Sequence, residues 1–134
     1  MTINKDLHNQ VSVGVAIALT AVADGEDVVG AVIDRQGSEG LEIIFQVGAY
    51  TDGSVTPLIE DSDDNVTYTA VADANLTNTE ASAALSAAGV SNIGYVGFKR
   101  YVRATAVTAA GSTLSVGASF VKFSLRLQGT VNPS

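Results

Sequence analysis

The stretch "LEIIFQVGAYTDGSVTPLIED", residues 41–61, contains two apolar segments separated by a short polar turn. In the first segment, Glu42 and Gln46 alternate with residues that would share one apolar face: Leu41, Ile43, Phe45, Val47 and Ala49. This period of two is typical of a half-buried β-strand. Asp52-Gly53 is the strongest short-range signal for a β-hairpin, so the stretch predicts two strands joined by a tight turn.

Similar segments recur along the chain, separated by turn residues, at residues 11–23, 27–34, 66–71, 93–109 and 114–128. Pro57 indicates an edge or bulged strand, because proline cannot donate to a strand ladder. Residues 79–89, "TEASAALSAAG", predict either a short helix with Thr79 as its cap and Gly89 as its stop, or a long polar loop. Seven or eight strands predict an all-β single domain, an antiparallel β-sandwich or a jelly-roll-like fold with at most one short helix. We expect the sandwich at residues 11–128, a flexible arm at 1–10 and a tail at 129–134.

Composition excludes several classes of function. The chain has 134 residues, no cysteine, one histidine and a net charge of −7. A net charge of this sign argues against nucleic-acid binding, which needs a basic face. No Gly-x-Ser-x-Gly elbow and no glycine-rich phosphate loop occurs, and His8 alone cannot form a histidine metal site. We therefore predict that the protein is not an enzyme, has no cofactor and binds neither nucleic acid nor a membrane.

Residues 11–23, "VSVGVAIALTAVA", have two interpretations. Ala21-Val22-Ala23 imitates a signal-peptidase site. However, polar and small residues dilute the run, and thirteen residues are too few to span a bilayer. We predict a buried strand.

The acidic stretch "EDSDDN", residues 60–65, supplies the oxygen ligands that calcium prefers, with Asp61, Asp63, Asp64 and Asn65 as the candidates. The EF-hand template fails, since its sixth position would be Val66 instead of glycine and its twelfth Ala72 instead of glutamate. Asp, Asn and Ser side chains also bond to their own backbone in tight turns. We predict a solvated turn at the tip of a hairpin, with calcium binding as the weaker hypothesis.

The stretch "GFKRYVRA", residues 97–104, contains three of the seven basic residues. On one continuous strand, Lys99, Tyr101 and Arg103 would face one way, and Phe98, Arg100 and Val102 the other. One interpretation is a partner-binding patch of Lys99, Arg100, Tyr101 and Arg103, because arginine and tyrosine are enriched at interface hot spots. The other is intramolecular, with these cations neutralising the acidic turns.

The leader is a second candidate contact. Residues such as Thr2, Ile3, Asn4 and Leu7 would become ordered on a neighbouring subunit. The alternative is an end that makes no contacts.

Two long stretches resemble small β-rich head proteins of tailed bacteriophages, which are encoded near the major capsid protein. They are "VGAYTDGSVTPLIEDSDDNVTYTAVADANL", residues 47–76, and "GYVGFKRYVRATAVTAAG", residues 94–111. The matching motifs are the Asp-Gly-x-x-Thr-Pro turn, the acidic turn before an aromatic residue, and the Gly-x-Lys-Arg-Tyr-Val-Arg segment. The family usually has glycine after the acidic turn, where this chain has Val66.

The resemblance implies a virion protein made in the host cytoplasm, which binds the capsid exterior as a decoration or cement protein. Its partner would be the major capsid protein, bound by several copies, with a trimer as one possibility. Two alternatives stay open: a secreted or surface β-sandwich that binds calcium or glycan, and another head or tail component of a phage.

Overall fold

The computed structural model describes residues 8–9, 11–23, 25–80 and 83–123. Nine β-strands lie in this part of the chain, and one 3-10 turn, Asp73–Asn75, precedes the sixth. The strands are β1 (Val11–Val22), β2 (Val28–Asp34), β3 (Gly40–Asp52), β4 (Val55–Ser62), β5 (Thr69–Ala70), β6 (Leu76–Thr77), β7 (Gly89–Tyr95), β8 (Tyr101–Thr108) and β9 (Thr113–Phe123).

The strands form two antiparallel sheets. One has five strands in the order β1-β9-β3-β7-β6, and the other has four in the order β2-β8-β4-β5. The pairs are nested along the chain: β1 with β9, β2 with β8, β3 with β7 and β4 with β5. Nested pairs shared between two sheets are the arrangement of a jelly roll. The predicted all-β antiparallel sandwich is confirmed.

The Asp52-Gly53 turn forms but does not make a hairpin. The Gly53 N–H donates to Asp52 Oδ1 at 2.8 Å, and Tyr50 Oη donates to the Gly53 carbonyl at 2.8 Å. Gly53 has φ +98°, a conformation that favours glycine. However, β3 and β4 lie in different sheets, so the predicted pairing of these two strands is wrong. Asp52-Gly53 correctly predicted a sharp turn. Because β3 and β4 bury their apolar faces against each other, this turn connects the two sheets and does not join paired strands.

The alternation of β3 builds the centre of the core. Leu41, Ile43, Phe45 and Val47 are buried, as the period of two predicts. Ala49 is exposed instead, because the register of β3 against β9 shifts after Val47. Apolar side chains of the four-stranded sheet face this row and complete the buried cluster, including Ile33, Val55, Ile59, Val102, Ala104 and Ala106.

Residues 79–89 favour the loop interpretation. The Ala83 N–H donates to the carbonyls of both Thr79 and Glu80 at 3.1 Å. Leu85 then exchanges two backbone hydrogen bonds of 2.8 Å with Val55, and Gly89 begins β7 instead of ending a helix. Both backbone groups of Leu85 are thus used by a strand-like contact, which a helix through Leu85 would remove.

The apolar run at residues 11–23 forms β1 over its first twelve residues, as predicted. It is an edge strand with one face open to solvent, so the expectation of a buried strand holds only for its inner face. Within the described ranges, the structure contains no helix that is both long and apolar enough to cross a membrane.

Pro57 lies in β4 opposite Ala106 of β8. The other neighbour, β5, pairs with β4 only at Glu60 and Asp61. β4 is an inner strand of its sheet and pairs with β8 without a register shift, so the predicted edge or bulged strand is wrong. The proline is tolerated because it stands where β4 has no second ladder to complete.

Candidate interaction surface at the β7–β8 loop

The segment "GYVGFKRYVR" does not form one strand. β7 ends at Tyr95 in the five-stranded sheet, and β8 begins at Tyr101 in the four-stranded sheet, so residues 96–100 cross between the sheets. A Cβ at Gly97 would lie 2.4 Å from the Tyr95 hydroxyl, because the chain folds back over that ring. The predicted alternation through Phe98, Arg100 and Val102 is therefore wrong.

A buried hydrogen-bonded pair lies under this crossing. Tyr95 Oη donates to Asp61 Oδ2 at 2.7 Å and accepts from the Lys99 backbone N–H at 3.1 Å. Tyr95 is 2% exposed and Asp61 6%. Burial, followed by the hydrogen bond to Asp61, raises the pKa of Tyr95 to about 12. The pair joins β7 to β4 and so connects the two sheets.

Arg35 fixes the loop from the other side. Its guanidinium lies 4.8 Å from the centre of the Tyr95 ring, within range of a cation–π contact. It donates to the carbonyls of Lys99 and Gly97, and the Arg35 backbone N–H donates to the Arg100 carbonyl at 2.8 Å. Three carbonyl groups of one short crossing are thus bound by a single residue.

The first of the loop's cations is paired with Asp34 at the end of β2. Arg100 Nε and Nη2 each donate to one Asp34 oxygen at 2.8 Å, which is the bidentate geometry that suits a carboxylate. This pair holds the pKa of Asp34 well below its ordinary value and raises the pKa of Arg100. The Arg100 guanidinium also lies 5.0 Å from the Tyr101 ring centre.

The other two cations are paired as well. Arg103 Nε donates to Glu60 Oε1 at 3.0 Å, and its guanidinium lies 4.3 Å from the Tyr68 ring centre. Lys99 Nζ lies 3.8 Å from Asp61 and 4.0 Å from Asp63. The intramolecular interpretation of the basic segment is therefore realised for all three cations, and partner binding by Lys99, Arg100, Tyr101 and Arg103 stays a prediction.

Phe98 is the feature of this surface that sequence reasoning missed. Its side chain is 96% exposed, on a loop whose backbone is fixed before and after it. Val96, in the same crossing, is half exposed. Gly97 could have indicated this exposure, because a glycine within a strand pattern often marks a bend or a close approach of the backbone to another group.

The acidic stretch is a turn at the tip of the β4–β5 hairpin. Asp64 Oδ1 accepts from the N–H groups of Val66 and Thr67 at 2.9 and 3.1 Å and from Ser62 Oγ at 2.9 Å. These bonds lower the pKa of Asp64, the one from Thr67 most. Asn65 has φ +62°, which asparagine tolerates better than most residues. The predicted hairpin tip is confirmed, although the strand after it is only two residues long.

The calcium candidates do not converge. Asp61 faces inward to Tyr95, Asp63 is largely exposed, Asp64 is occupied by turn donors, and Asn65 Oδ1 accepts from Tyr68 Oη. Among the residues that the structure describes, no group of three or more His, Cys, Asp or Glu side chains is placed to hold a metal ion. The leader residues Thr2, Ile3, Asn4 and Leu7 lie outside the described residues, as do the tail at 129–134 and residues 124–128 of the last predicted strand.

Comparison by sequence finds no matching protein-family model and no matching curated relative. Among solved structures, the chain is similar to the PBSX exported protein XepA, with a TM-score of 0.60 and 17% identity over 84% of this chain and 37% of that one. It thus spans little more than a third of XepA. It is also similar to the SPBc2 prophage-derived protein YomS, with a TM-score of 0.54 and 14% identity over 85% of this chain and 93% of that one. At these identities the similarity establishes a shared fold.

Proposed function

We propose that this protein is a structural component of a tailed-phage virion, a decoration or cement protein that binds the exterior of the head shell. Its partner is the major capsid protein, and several copies bind each shell after synthesis in the host cytoplasm. Two independent lines support the proposal: the resemblance carried by residues 47–76 and 94–111, and the fold shared with a prophage-derived protein over nearly its whole length.

The observation that carries the proposal is the exposure of Phe98 on a fixed loop. Large aromatic side chains contribute much of the energy of protein interfaces when a partner pocket desolvates them. A loop that is already ordered loses little conformational entropy on binding, which preserves more of that energy. Arg35 and the Asp34–Arg100 pair provide this order. The geometry suits a contact surface, in which shape and area matter and no reactive group is needed.

A cement protein acts by differential affinity. A protein that binds the assembled shell better than its separate subunits stabilises the shell by mass action. Contacts to neighbouring capsomers then oppose the rupture of the shell. The basic-aromatic patch and the leader residues Thr2, Ile3, Asn4 and Leu7 supply further contacts in this proposal.

The test is the binding of purified protein to empty, expanded shells of the parent phage, measured as occupancy against protein concentration. Phe98→Ala should raise the dissociation constant about thirtyfold, since truncating an aromatic anchor costs about 2 kcal/mol. Val90→Ala is the matched control, because Val90 is also largely exposed but lies on the outer face of the five-stranded sheet. Equal occupancy of wild type and Phe98→Ala would remove the loop from the proposal, and no binding of the wild type would refute the function itself.

The basic patch needs gentler variants than charge reversal. Glutamate at position 100 or 103 would face Asp34 or Glu60, so the local structure would change together with the surface. Arg100→Gln with Arg103→Gln removes both charges and keeps hydrogen-bond donors. Unchanged occupancy in this double variant would exclude the two cations as shell contacts.

The calcium-binding alternative has its own measurement. Calorimetric titration with calcium should give no heat of binding if the acidic turn is closed by its own hydrogen bonds. Tight binding that disappears in Asp63→Ala would favour the alternative function.

A further inference from the structure

A jelly roll of two open sheets has four edge strands, and they differ sharply here. β5 and β6 are each two residues long. β2 ends in Asp34, and its register against β8 shifts between Val29 and Val32. Short length, charge and bulges are the devices that protect sheet edges from pairing with other chains. Three of the four edges thus carry a protecting feature.

β1 lacks most of this protection. It is twelve residues long and contains no charged residue and no proline. Its first five residues, 11–15, pair with β9 in unbroken register, and the irregularities begin only after Val15. At Ala16 the carbonyl approaches β2 closely, since a Cβ at Gly30 would lie 2.3 Å from that oxygen. Residues 11–15 are therefore the regular part of the edge, and among the residues that the structure describes no strand pairs with their outer side.

Two of the three exposed side chains in this part are apolar, and the third is the uncharged Ser12. Val13 is 65% exposed, and Val15 is exposed to a similar degree. Gly14, whose lack of a side chain would weaken a strand, is covered by the ring of Phe120 on β9. The ring compensates for the missing side chain of Gly14, so this part of the edge stays a regular strand to which another strand can be added.

We propose that residues 11–15 pair with the same residues of a second copy of this chain, antiparallel and about a two-fold axis centred on Val13. The two five-stranded sheets then form one continuous sheet of ten strands. This interface is separate from the Phe98 loop and does not depend on shell binding.

Self-complementarity favours a second copy as the occupant, because pairing about Val13 places Val13 opposite Val13 and Val11 opposite Val15, and apolar cross-strand pairs stabilise a ladder. Each copy has a net charge of −7, so two copies repel each other over most of their surfaces. The segment without charge is where they can meet without placing like charges opposite each other. An isologous contact brings the same patch together from both copies and closes at two. This contact alone gives a dimer, whereas a trimer on the shell stays a prediction from the sequence resemblance.

Val13→Lys tests the pairing. In the symmetric dimer the two lysines would lie directly opposite each other, an arrangement that destabilises strand pairs. We expect the dissociation constant, measured by sedimentation velocity across a concentration series, to rise about tenfold or more, which is about 1.4 kcal/mol. Val90→Lys is the control, because Val90 is 62% exposed on β7 of the same sheet, away from the β1 edge. Circular dichroism and thermal unfolding verify that both variants fold.

Hydrogen exchange provides a second readout. In the wild type, those amides of residues 11–15 that point away from β9 should exchange more slowly as the concentration rises, and Val13→Lys should abolish that dependence. A wild type that stays monomeric, a mass above a dimer, or a Val13→Lys variant that dimerises as well as Val90→Lys would each overturn the proposal. Protection that is independent of concentration would also overturn it, since another segment of the same chain would then cover the edge.

Discussion

Replacement of Tyr95 by phenylalanine should weaken the connection between the two sheets. The change removes one oxygen atom, and with it the 2.7 Å hydrogen bond to Asp61 and the 3.1 Å bond from the Lys99 N–H. The ring itself and its contact with Arg35 remain. The acceptor is a carboxylate that is only 6% exposed, so water cannot readily replace the lost donor.

The expected cost follows from the charge of the acceptor. Hydrogen bonds to charged groups contribute about 1.5 to 3 kcal/mol, against about 0.5 to 1.5 kcal/mol for neutral pairs. We therefore expect Tyr95→Phe to lower the free energy of unfolding by about 2 kcal/mol. In a domain of this size that corresponds to a decrease of about 7 °C in Tm.

Tyr50→Phe is the matched control, because Tyr50 Oη donates at 2.8 Å to a neutral acceptor, the Gly53 carbonyl. Urea denaturation of both variants measures the difference. A double-mutant cycle with Asp61→Asn tests the cause, since the penalty of Tyr95→Phe should shrink once the carboxylate is gone. If Tyr95→Phe and Tyr50→Phe differ by less than about 0.5 kcal/mol, the buried carboxylate does not depend on this hydroxyl and the reasoning is refuted.

Three further predictions concern pH and packing. The pKa of Tyr95 is raised from 10 to about 12, so the folded state favours the neutral hydroxyl. The stability that this hydroxyl contributes is present below pH 10 and should be lost between pH 10 and 12. Urea denaturation across this pH range should show a smaller loss of stability in Tyr95→Phe than in the wild type. The Arg100 guanidinium lowers the pKa of Asp34. The contribution of Asp34 to the free energy of unfolding is therefore present above its ordinary pKa of 3.8 and is lost as the pH falls below that value. Asp34→Asn should make stability less dependent on pH in the acid range, and an unchanged pH dependence would contradict the pairing. Gly30→Ala should lower the free energy of unfolding by about 1 to 3 kcal/mol, because the added methyl group meets the Ala16 carbonyl. Gly48→Ala is the control, since no atom lies within 4 Å of its Cβ, and it should change stability by less than about 0.5 kcal/mol. Equal thermal midpoints of the two variants would show that β1 and β2 are not tightly packed at Gly30.

Local patterns predicted the elements well and their partners poorly. The period of two in β3 identified Leu41 to Val47 as core, since a half-buried strand requires it. The same reasoning failed at Ala49, where a register shift reverses the faces, and at Asp52-Gly53, where the turn joins two sheets. Both failures depend on strands that are distant in sequence, which a local pattern does not contain.

At the candidate site, too, the sequence identified the segments but not the contacts that their side chains make. Sequence reasoning identified residues 97–104 as polarised and left open whether the cations serve a partner or the acidic turns. It assigned Asp61 to a solvated turn, but the fold buries Asp61 against Tyr95, which is 34 positions away in the chain. It also placed Phe98 on a strand face, whereas the crossing between sheets leaves that side chain exposed.

Residue types and spacing alone predicted an all-β domain with a β-branched, alternating core, and these 134 residues contain no cysteine and too few histidines for a multi-histidine metal site. These conclusions need only residue types and their spacing, which set the backbone period and the available chemistry. Contacts between distant parts of the chain, in contrast, set which strands pair, which cations are neutralised and which described edge strand is long and uncharged. Those outcomes arise when two sheets bury their apolar faces together, because that packing fixes the neighbours of every charged and aromatic side chain at once.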